Sequence, residues 1–171
     1  MKAFLDTNIL LSSAHSDGLC RELLYWPSKV LGQDTDNYLA PPNGKVHYVS
    51  SERVIVELSR NLTRKFRNSP ASTVAMVREI ASLLHIVPEG STPVPCPDET
   101  DGWILGDAVE AKCDYFITGD RIVLGLYSVQ GMRIISPREM MDFLFTGKPI
   151  PKFEAHEDRA NYLVTRLKSI A

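Results

Sequence analysis

The sequence is poor in the residues that build soft-metal and redox sites. Its three cysteines, Cys20, Cys96 and Cys113, stand too far apart for a CxxC pair or a zinc knuckle. The four histidines, His15, His47, His85 and His156, lack the paired spacing of a zinc-binding helix. A sparse, odd cysteine count fits a reducing compartment, and such cysteines read as small buried hydrophobes. No stretch approaches the ~20 apolar residues of a membrane span. Asp6 interrupts the N-terminal apolar run, which therefore does not read as a signal peptide. These absences lead to the expectation of a cytoplasmic protein. A basic excess is also missing: 19 Lys and Arg face 21 Asp and Glu, a formal net charge of −2. Any nucleic-acid partner would have to be met by a local patch. Neither an internal repeat nor a low-complexity tract occurs.

What is present suits one domain with an appended segment: 171 residues, 44% hydrophobic and 23% charged. Met1 to Leu5 reads as a strand, followed by a helix from about Ile9 and another over "DGLCRELLYW". Residues 27–46 carry three prolines and two glycines and read as an irregular insert. Val46 to Ser50 is a strand candidate. "SERVIVELSRNLTRKF" reads as a helix with Ile55, Leu58, Leu62 and Phe66 as its apolar stripe. Ser69 and Pro70 open the next helix as N-cap and first helical residue. "DGWILGDAVEAK" reads as a helix, "DYFITGD" as a strand ending in a turn, and "MRIIS" as another strand. Ser136-Pro137-Arg138-Glu139 is a capping box opening a helix to about Phe145. Residues 1–147 thus form the domain. Residues 148–171, after a Gly147/Pro149/Pro151 break, read as a helical extension with Tyr162, Val164 and Leu167 apolar. Alternating strands and helices predict an α/β fold with a mostly parallel sheet covered on both faces.

In such a sheet, ligands bind outside the carboxyl ends of the strands. Leu5-Asp6-Thr7-Asn8 and Ile117-Thr118-Gly119-Asp120 each place an acid and a hydroxyl there. Asp101 opens the helix that leads to the second of these strands, and Glu57 sits in the second turn of the "SERVIVELSR" helix. Each acid also has an ordinary reading. Asp6 or Asn8 caps the helix at Ile9, Asp101 caps its own helix, and Asp120 belongs to a turn. Glu57 pairs with Arg53 or Asn61 on a solvated face. Four acids on one rim are explained jointly by a cation. Clustered carboxylates repel unless neutralised, and oxygen donors without Cys or His select Mg²⁺ or Mn²⁺. The chemistry that follows is metal-assisted phosphodiester hydrolysis. Arg60, Arg64 and Arg67 share a helix face, with Arg53 and Lys65 nearby, a patch for RNA phosphates or simply a solvated face. Trp26, Trp103 and Tyr127 are candidates for base stacking.

At these residues the sequence resembles the PIN-domain nucleases, in particular the VapC-like toxin components of toxin–antitoxin pairs. "FLDTNILLSS" is similar to the family's opening motif, "SSERVIVELSRNLTRKF" to its second-acid helix, and "DETDGWILGDAVEAKCDYFITGDRIVL" to its third-and-fourth-acid segment. The resemblance runs over roughly residues 2–145 and fails in the 27–46 insert. It implies a three-layer α/β/α fold around a five-stranded parallel sheet. It also implies Mg²⁺ or Mn²⁺ as cofactor and RNA cleavage, usually by a homodimer blocked by a cognate antitoxin protein. It makes Asp6, Glu57, Asp101 and Asp120 the metal ligands and catalytic acids. Thr118 matches the hydroxyl position that orients a metal-bound water, and Asn8 a polar neighbour of the site, as Thr7 is. Asp98 and Glu99 compete with Asp101 for the third place, and the Asp-x-x-Ile-Leu spacing favours Asp101. Two positions depart from the family pattern: Ile122, where many relatives carry an acid, and Asp107, where a small apolar residue is common. Two other classes compete. A non-catalytic PIN-fold scaffold would bind RNA or a protein without cutting. An aspartyl-phosphate phosphatase would need an acid two residues after Asp6, where this chain has Asn8.

Overall fold

A computed structural model describes residues 1–31, 46–153 and 159–160. Six strands form one sheet in the order β3-β2-β1-β4-β6-β5. These are β1 (Lys2–Leu5), β2 (His47–Ser51), β3 (His85–Val87), β4 (Tyr115–Ile117), β5 (Ser128–Val129) and β6 (Met132–Ile135). The first four and β6 run parallel, and β5 pairs antiparallel with β6 at the edge. The expected five-stranded parallel sheet is therefore present with one added strand. That strand returns through a tight turn in which Gln130 and Gly131 both take positive φ, 47° and 88°.

Among the described residues, seven helices flank the sheet: α1 (Thr7–His15), α2 (Leu19–Leu31), α3 (Glu52–Arg64), α4 (Pro70–Ser82), α5 (Glu99–Glu110), α6 (Arg121–Leu124) and α7 (Pro137–Thr146). Chain direction fixes the layers. The chain steps from β1 to β2 to β3 through α1–α4, then crosses back to β4 through α5. With right-handed crossovers, α1–α4 cover one face and α5 the other. The reversal of direction falls between β1 and β4, and this is the switch point where open α/β sheets bind ligands.

Local chemistry explains most helix ends. Ser69 caps α4 with Pro70 at its first position, and Ser136 and Glu139 form the reciprocal capping box of α7. Gly147 ends α7 in the left-handed conformation, φ 65°. Three expectations change. Helix α2 continues through Pro27 to Leu31, so the irregular insert starts later than residue 27. Proline forfeits one intrahelical hydrogen bond there, but Leu23, Leu24 and Trp26 are buried and hold the helix against the core. The rest of the 27–46 insert lies outside the described residues. The buried stripe of α3 is Val54, Leu58 and Leu62. Ile55 is half-buried, and Phe66 falls beyond the helix end, 42% exposed. Finally, α5 begins at Glu99 with Asp98 as its cap, two residues before the expected start.

The core gathers Phe4, Leu5, Phe116, Ile117 and Ile134 from the sheet with Leu10, Leu58, Ile104 and Phe143 from the helices. Phe4 and Phe116 stack across β1 and β4 with ring centroids 5.4 Å apart. Of the C-terminal extension, Ile150 is buried, Phe153 packs on the core and Arg159 is buried. These residues dock on the domain itself. Tyr162, Val164 and Leu167 lie outside the described residues.

The segment between β3 and α5 lies tight along α5. A Cβ at Gly106 would stand 2.1 Å from the Thr92 carbonyl oxygen, and one at Gly102 2.5 Å from that of Val94. Both obstacles are backbone. Gly106→Ala is therefore expected to destabilise the fold by about 2–3 kcal/mol, as overpacking does. Urea unfolding measures this, and an unchanged midpoint would contradict the close approach.

Candidate functional site

The register of the sheet sets Asp6 beside Thr118. Leu5 of β1 pairs with Ile117 of β4, so Asp6 and Thr118 are the next residues on neighbouring strands. The Asp6 N–H donates to the Ile117 carbonyl at 3.1 Å, carrying the ladder one step past the strand end. Here the chain turns into α1, and Asp6 is its N-cap, with Oδ1 accepting the Thr7 N–H at 2.7 Å. The expected start near Ile9 is thus corrected: of the two expected caps, Asp6 and Asn8, the cap is Asp6, and Thr7 and Asn8 are helical. The two readings of Asp6, cap and site, describe different oxygens of one carboxylate.

The other oxygen, Oδ2, accepts from the Thr118 hydroxyl at 2.6 Å and from Asn8 Nδ2 at 2.6 Å. Asn8 Nδ2 also donates to Thr118 Oγ1 at 3.0 Å, while Asn8 Oδ1 accepts the Gly119 N–H at 2.9 Å. Thr118 Oγ1 accepts in addition the Asp120 N–H at 3.0 Å. This hydroxyl is fully buried, with its hydrogen committed to Asp6 and both lone pairs engaged. It ties the loop of Asp120 to Asp6.

The remaining acids arrive on three helices. Glu57 Oε2, in the second turn of α3, accepts the Thr7 hydroxyl at 2.7 Å. Asp98 Oδ1 caps α5 by accepting the N–H groups of Thr100 at 2.8 Å and Asp101 at 3.4 Å. Because Asp98 takes the cap, the Asp101 carboxylate in the first turn is not needed for it. Asp120 Oδ1 caps α6, accepting the Ile122 and Val123 N–H groups at 2.7 and 3.2 Å.

Electrostatics binds the group together. Burial pushes the Asp6 carboxyl up to about 7; the Thr118 and Thr7 hydrogen bonds oppose this, and the charges of Asp101 and Glu57 add to it. Asp101 is raised to about 6 by burial first, then by the charges of Asp98, Asp120 and Glu57. Among the described residues, no Lys, Arg or His forms an ion pair with Asp6, Glu57, Asp101 or Asp120. Nor do any three His, Cys, Asp or Glu among them form a ready-made metal cage. The acids lie close enough to raise one another's pKa, yet they do not converge on one point.

Such a set fits a hard divalent cation. Its donors are all oxygens, its mutual repulsion is uncompensated, and one of its carboxylates is 5% exposed without a cationic partner. A family model described as PIN domain matches residues 2–122. The chain belongs to the PIN domain family. PIN domains are generally metal-dependent nucleases. Nine chains of solved structures match as well. One is the crystal structure of PAE2754 from Pyrobaculum aerophilum, with TM-score 0.51 and 14% identity, covering 84% of this chain and 89% of that one. At that identity the likeness speaks for the fold. No curated protein matches the chain. Among the described residues, no helix is long and apolar enough to cross a membrane.

The basic residues of α3 divide into two groups. Arg53, expected among the RNA contacts, is engaged inside the protein. Its Nη2 meets Glu89 at 3.1 Å, its Nε meets Asp107 at 3.3 Å, and its guanidinium lies 5.2 Å from the centre of the Trp103 ring. Asp107 is buried and also accepts the Gly90 N–H at 2.7 Å. The acid that departs from the family pattern therefore pairs with Arg53 and joins α3 to α5, the helices bearing Glu57 and Asp101. Sequence spacing gave no sign of this pair, because the partners are 54 residues apart. Arg60 and Arg64 are exposed, one and two turns beyond Glu57 on the same side of α3. Of the stacking candidates, Trp26 is buried against Phe145, Trp103 packs with Arg53, and Tyr127 with Arg159.

Proposed function

We propose that this PIN domain is a Mg²⁺- or Mn²⁺-dependent endoribonuclease. The observation that carries the reading is Asp6: a buried carboxylate at the switch point of the sheet, without a cationic partner among the described residues and raised to about 7 beside other acids. Asp6, Glu57, Asp101 and Asp120 would hold the cation, with Asp98 as a supporting charge that caps α5. When bound, a divalent ion supplies an acidified water and offsets charge that develops on the phosphate. The chain's own residues do the rest. Thr118 and Asn8 hold the Asp6 carboxylate in one orientation, and Thr7 does the same for Glu57. Arg60 and Arg64 offer charge to RNA phosphates alongside Glu57.

The phosphatase alternative fares poorly. It needs an acid two residues after Asp6, and that position holds Asn8, whose amide is engaged with Asp6, Thr118 and Gly119. The toxin assignment, the homodimer and the antitoxin partner are carried by the resemblance to VapC-like proteins and belong to the same proposal. Co-expression with the products of the two flanking genes tests them: one product should bind the chain and suppress its cleavage.

Purified protein incubated with single-stranded RNA, with Mg²⁺, Mn²⁺ or a chelator, tests the activity. Internal cuts that require the divalent ion support it, and RNA that is bound but left whole would favour the scaffold reading. The double variant Arg60→Ala/Arg64→Ala is expected to raise KM by about tenfold at moderate salt and leave kcat near the parent value. Its log–log salt slope for RNA binding should fall by about 2. Unchanged binding would place the RNA on another face.

A further inference from the structure

We infer that Arg159, from the C-terminal extension, is a positioning residue for Asp120. Helix α6 is a single turn, Arg121–Leu124, between the candidate acid and the edge hairpin. One turn of helix is not self-supporting; its carbonyls take the N–H groups of Gly125, Leu126 and Tyr127, the last reaching Leu124 at 3.3 Å, and side chains fasten the turn to the rest of the fold. At its start, Asp120 takes the Ile122 and Val123 N–H groups. At its end, the Leu124 carbonyl accepts Arg159 Nη1 at 2.8 Å. The same guanidinium donates from Nη2 to the Ile134 carbonyl of β6 at 2.6 Å and from Nε to Glu139 at 2.8 Å. The rings of Tyr127 and Phe153 flank it, 5.8 and 5.6 Å from its central carbon.

Arg159 thus fixes the far end of α6 to β6 and α7, and Asp120 fixes the near end. A displaced α6 would carry the Asp120 carboxylate with it, because Asp120 is the N-cap directly before that turn and its carbonyl accepts the Leu124 N–H at 2.9 Å. The family match ends at residue 122, so this anchor comes from chain outside the matched segment. The fork geometry is specific to arginine. A lysine can neutralise buried Glu139 but cannot also reach two carbonyls on different elements. The ion pair and the carbonyl bonds can therefore be separated by substitution.

The catalytic consequence rests on the nuclease reading; the structural one does not. The full chain is compared with Arg159→Lys and Glu139→Gln by hydrogen exchange and by RNA cleavage with Mn²⁺. Arg159→Lys keeps the buried charge compensated and loses the Leu124 bond. Exchange over residues 119–126 should rise by about tenfold while β1 and α1 stay unchanged. Its kcat should fall by about tenfold or more with KM within about twofold, as for a misplaced catalytic group. Glu139→Gln keeps the capping box through its amide oxygen, and both carbonyl bonds, but turns its N–H2 towards Arg159 Nε and leaves the buried guanidinium without a counter-charge. It should lower the urea midpoint, while exchange over 119–126 relative to β1 and α1, and kcat, stay near the parent values. A loss of protection confined to 119–126, or a fall in kcat, that is larger in Glu139→Gln than in Arg159→Lys would overturn the inference. Unchanged exchange over 119–126 in folded Arg159→Lys would overturn it equally. If the parent cuts no RNA, the exchange result alone decides the role of Arg159, and the nuclease reading falls separately.

Discussion

Asp6→Asn will fold and will cleave RNA at least about 10³-fold more slowly than the parent chain, the scale on which a key electrostatic group is lost. The substitution keeps the side chain's shape and leaves Oδ1 to cap α1 through the Thr7 N–H. It removes the charge that the site supplies at its most buried position. The substitution turns Oδ2 from an acceptor into a donor that faces Asn8 Nδ2 and Thr118 Oγ1, whose lone pairs are already engaged. Near pH 5 the folded parent already carries a proton on Asp6, so no charge is lost there and this local conflict is the whole cost. Circular dichroism should therefore match the parent, and melting near pH 5 should lie within about 5 °C of it. Single-turnover cleavage with saturating Mn²⁺ measures the rate, which separates the chemical step from RNA binding. A folded variant with undiminished cleavage would remove Asp6 from the site.

The second large effect is a fall in stability of the metal-free protein as pH rises. Asp6 titrates near 7 in the folded chain and near 3.8 when unfolded. Between those values the folded state holds more protons than the unfolded state. The sign of the linkage then makes stability decrease with pH across that interval and level off above about 7. The full shift corresponds to an upper bound of about 4 kcal/mol for this one buried group. Asp101, raised to about 6 and less deeply buried, adds a smaller contribution of the same sign over a lower window. Divalent cations bind the ionised form, so their stabilising effect should grow in the opposite direction. Thermal melts at pH 5 and pH 8 in chelator should show the higher Tm at pH 5. Saturating Mn²⁺ should raise Tm more at pH 8 than at pH 5, and Asp6→Asn should flatten both trends. A chelator-treated protein more stable at pH 8 would contradict the uncompensated charge on which the site is built.

Much of the architecture is local and could be read from the chain. The capping box at Ser136 and Glu139 and the Ser69-Pro70 start are written in adjacent residues, and they appear as expected. The acids at the ends of β1 and β4 were legible because a buried apolar run that stops on Asp, Thr and Asn has few structural reasons to do so. What escaped was set by partners far away in sequence. Pro27 sits inside a helix because the buried Leu23, Leu24 and Trp26 outweigh one missing hydrogen bond. The strand β5 has two residues, too few for any periodicity, and exists because the Gln130-Gly131 turn folds it onto β6. Arg53 looked like a surface cation on a basic helix until Asp107 and Glu89 closed on it. Arg159 lies buried against Glu139, a partner 20 residues away in the chain. Asp98 took the cap that left Asp101 its freedom, a choice among three neighbouring acids that spacing alone resolved only by favouring Asp101.

In the proposed function, the acids on this rim form one cation-dependent cutting site for RNA. Its most direct test is a cleavage assay on end-labelled single-stranded RNA with the parent chain and Asp6→Asn side by side, each in chelator and in Mn²⁺. The predicted result is internal cleavage by the parent in Mn²⁺ alone and essentially none by the variant. RNA left intact by the folded parent in both Mg²⁺ and Mn²⁺, or cut equally by both proteins, would contradict it.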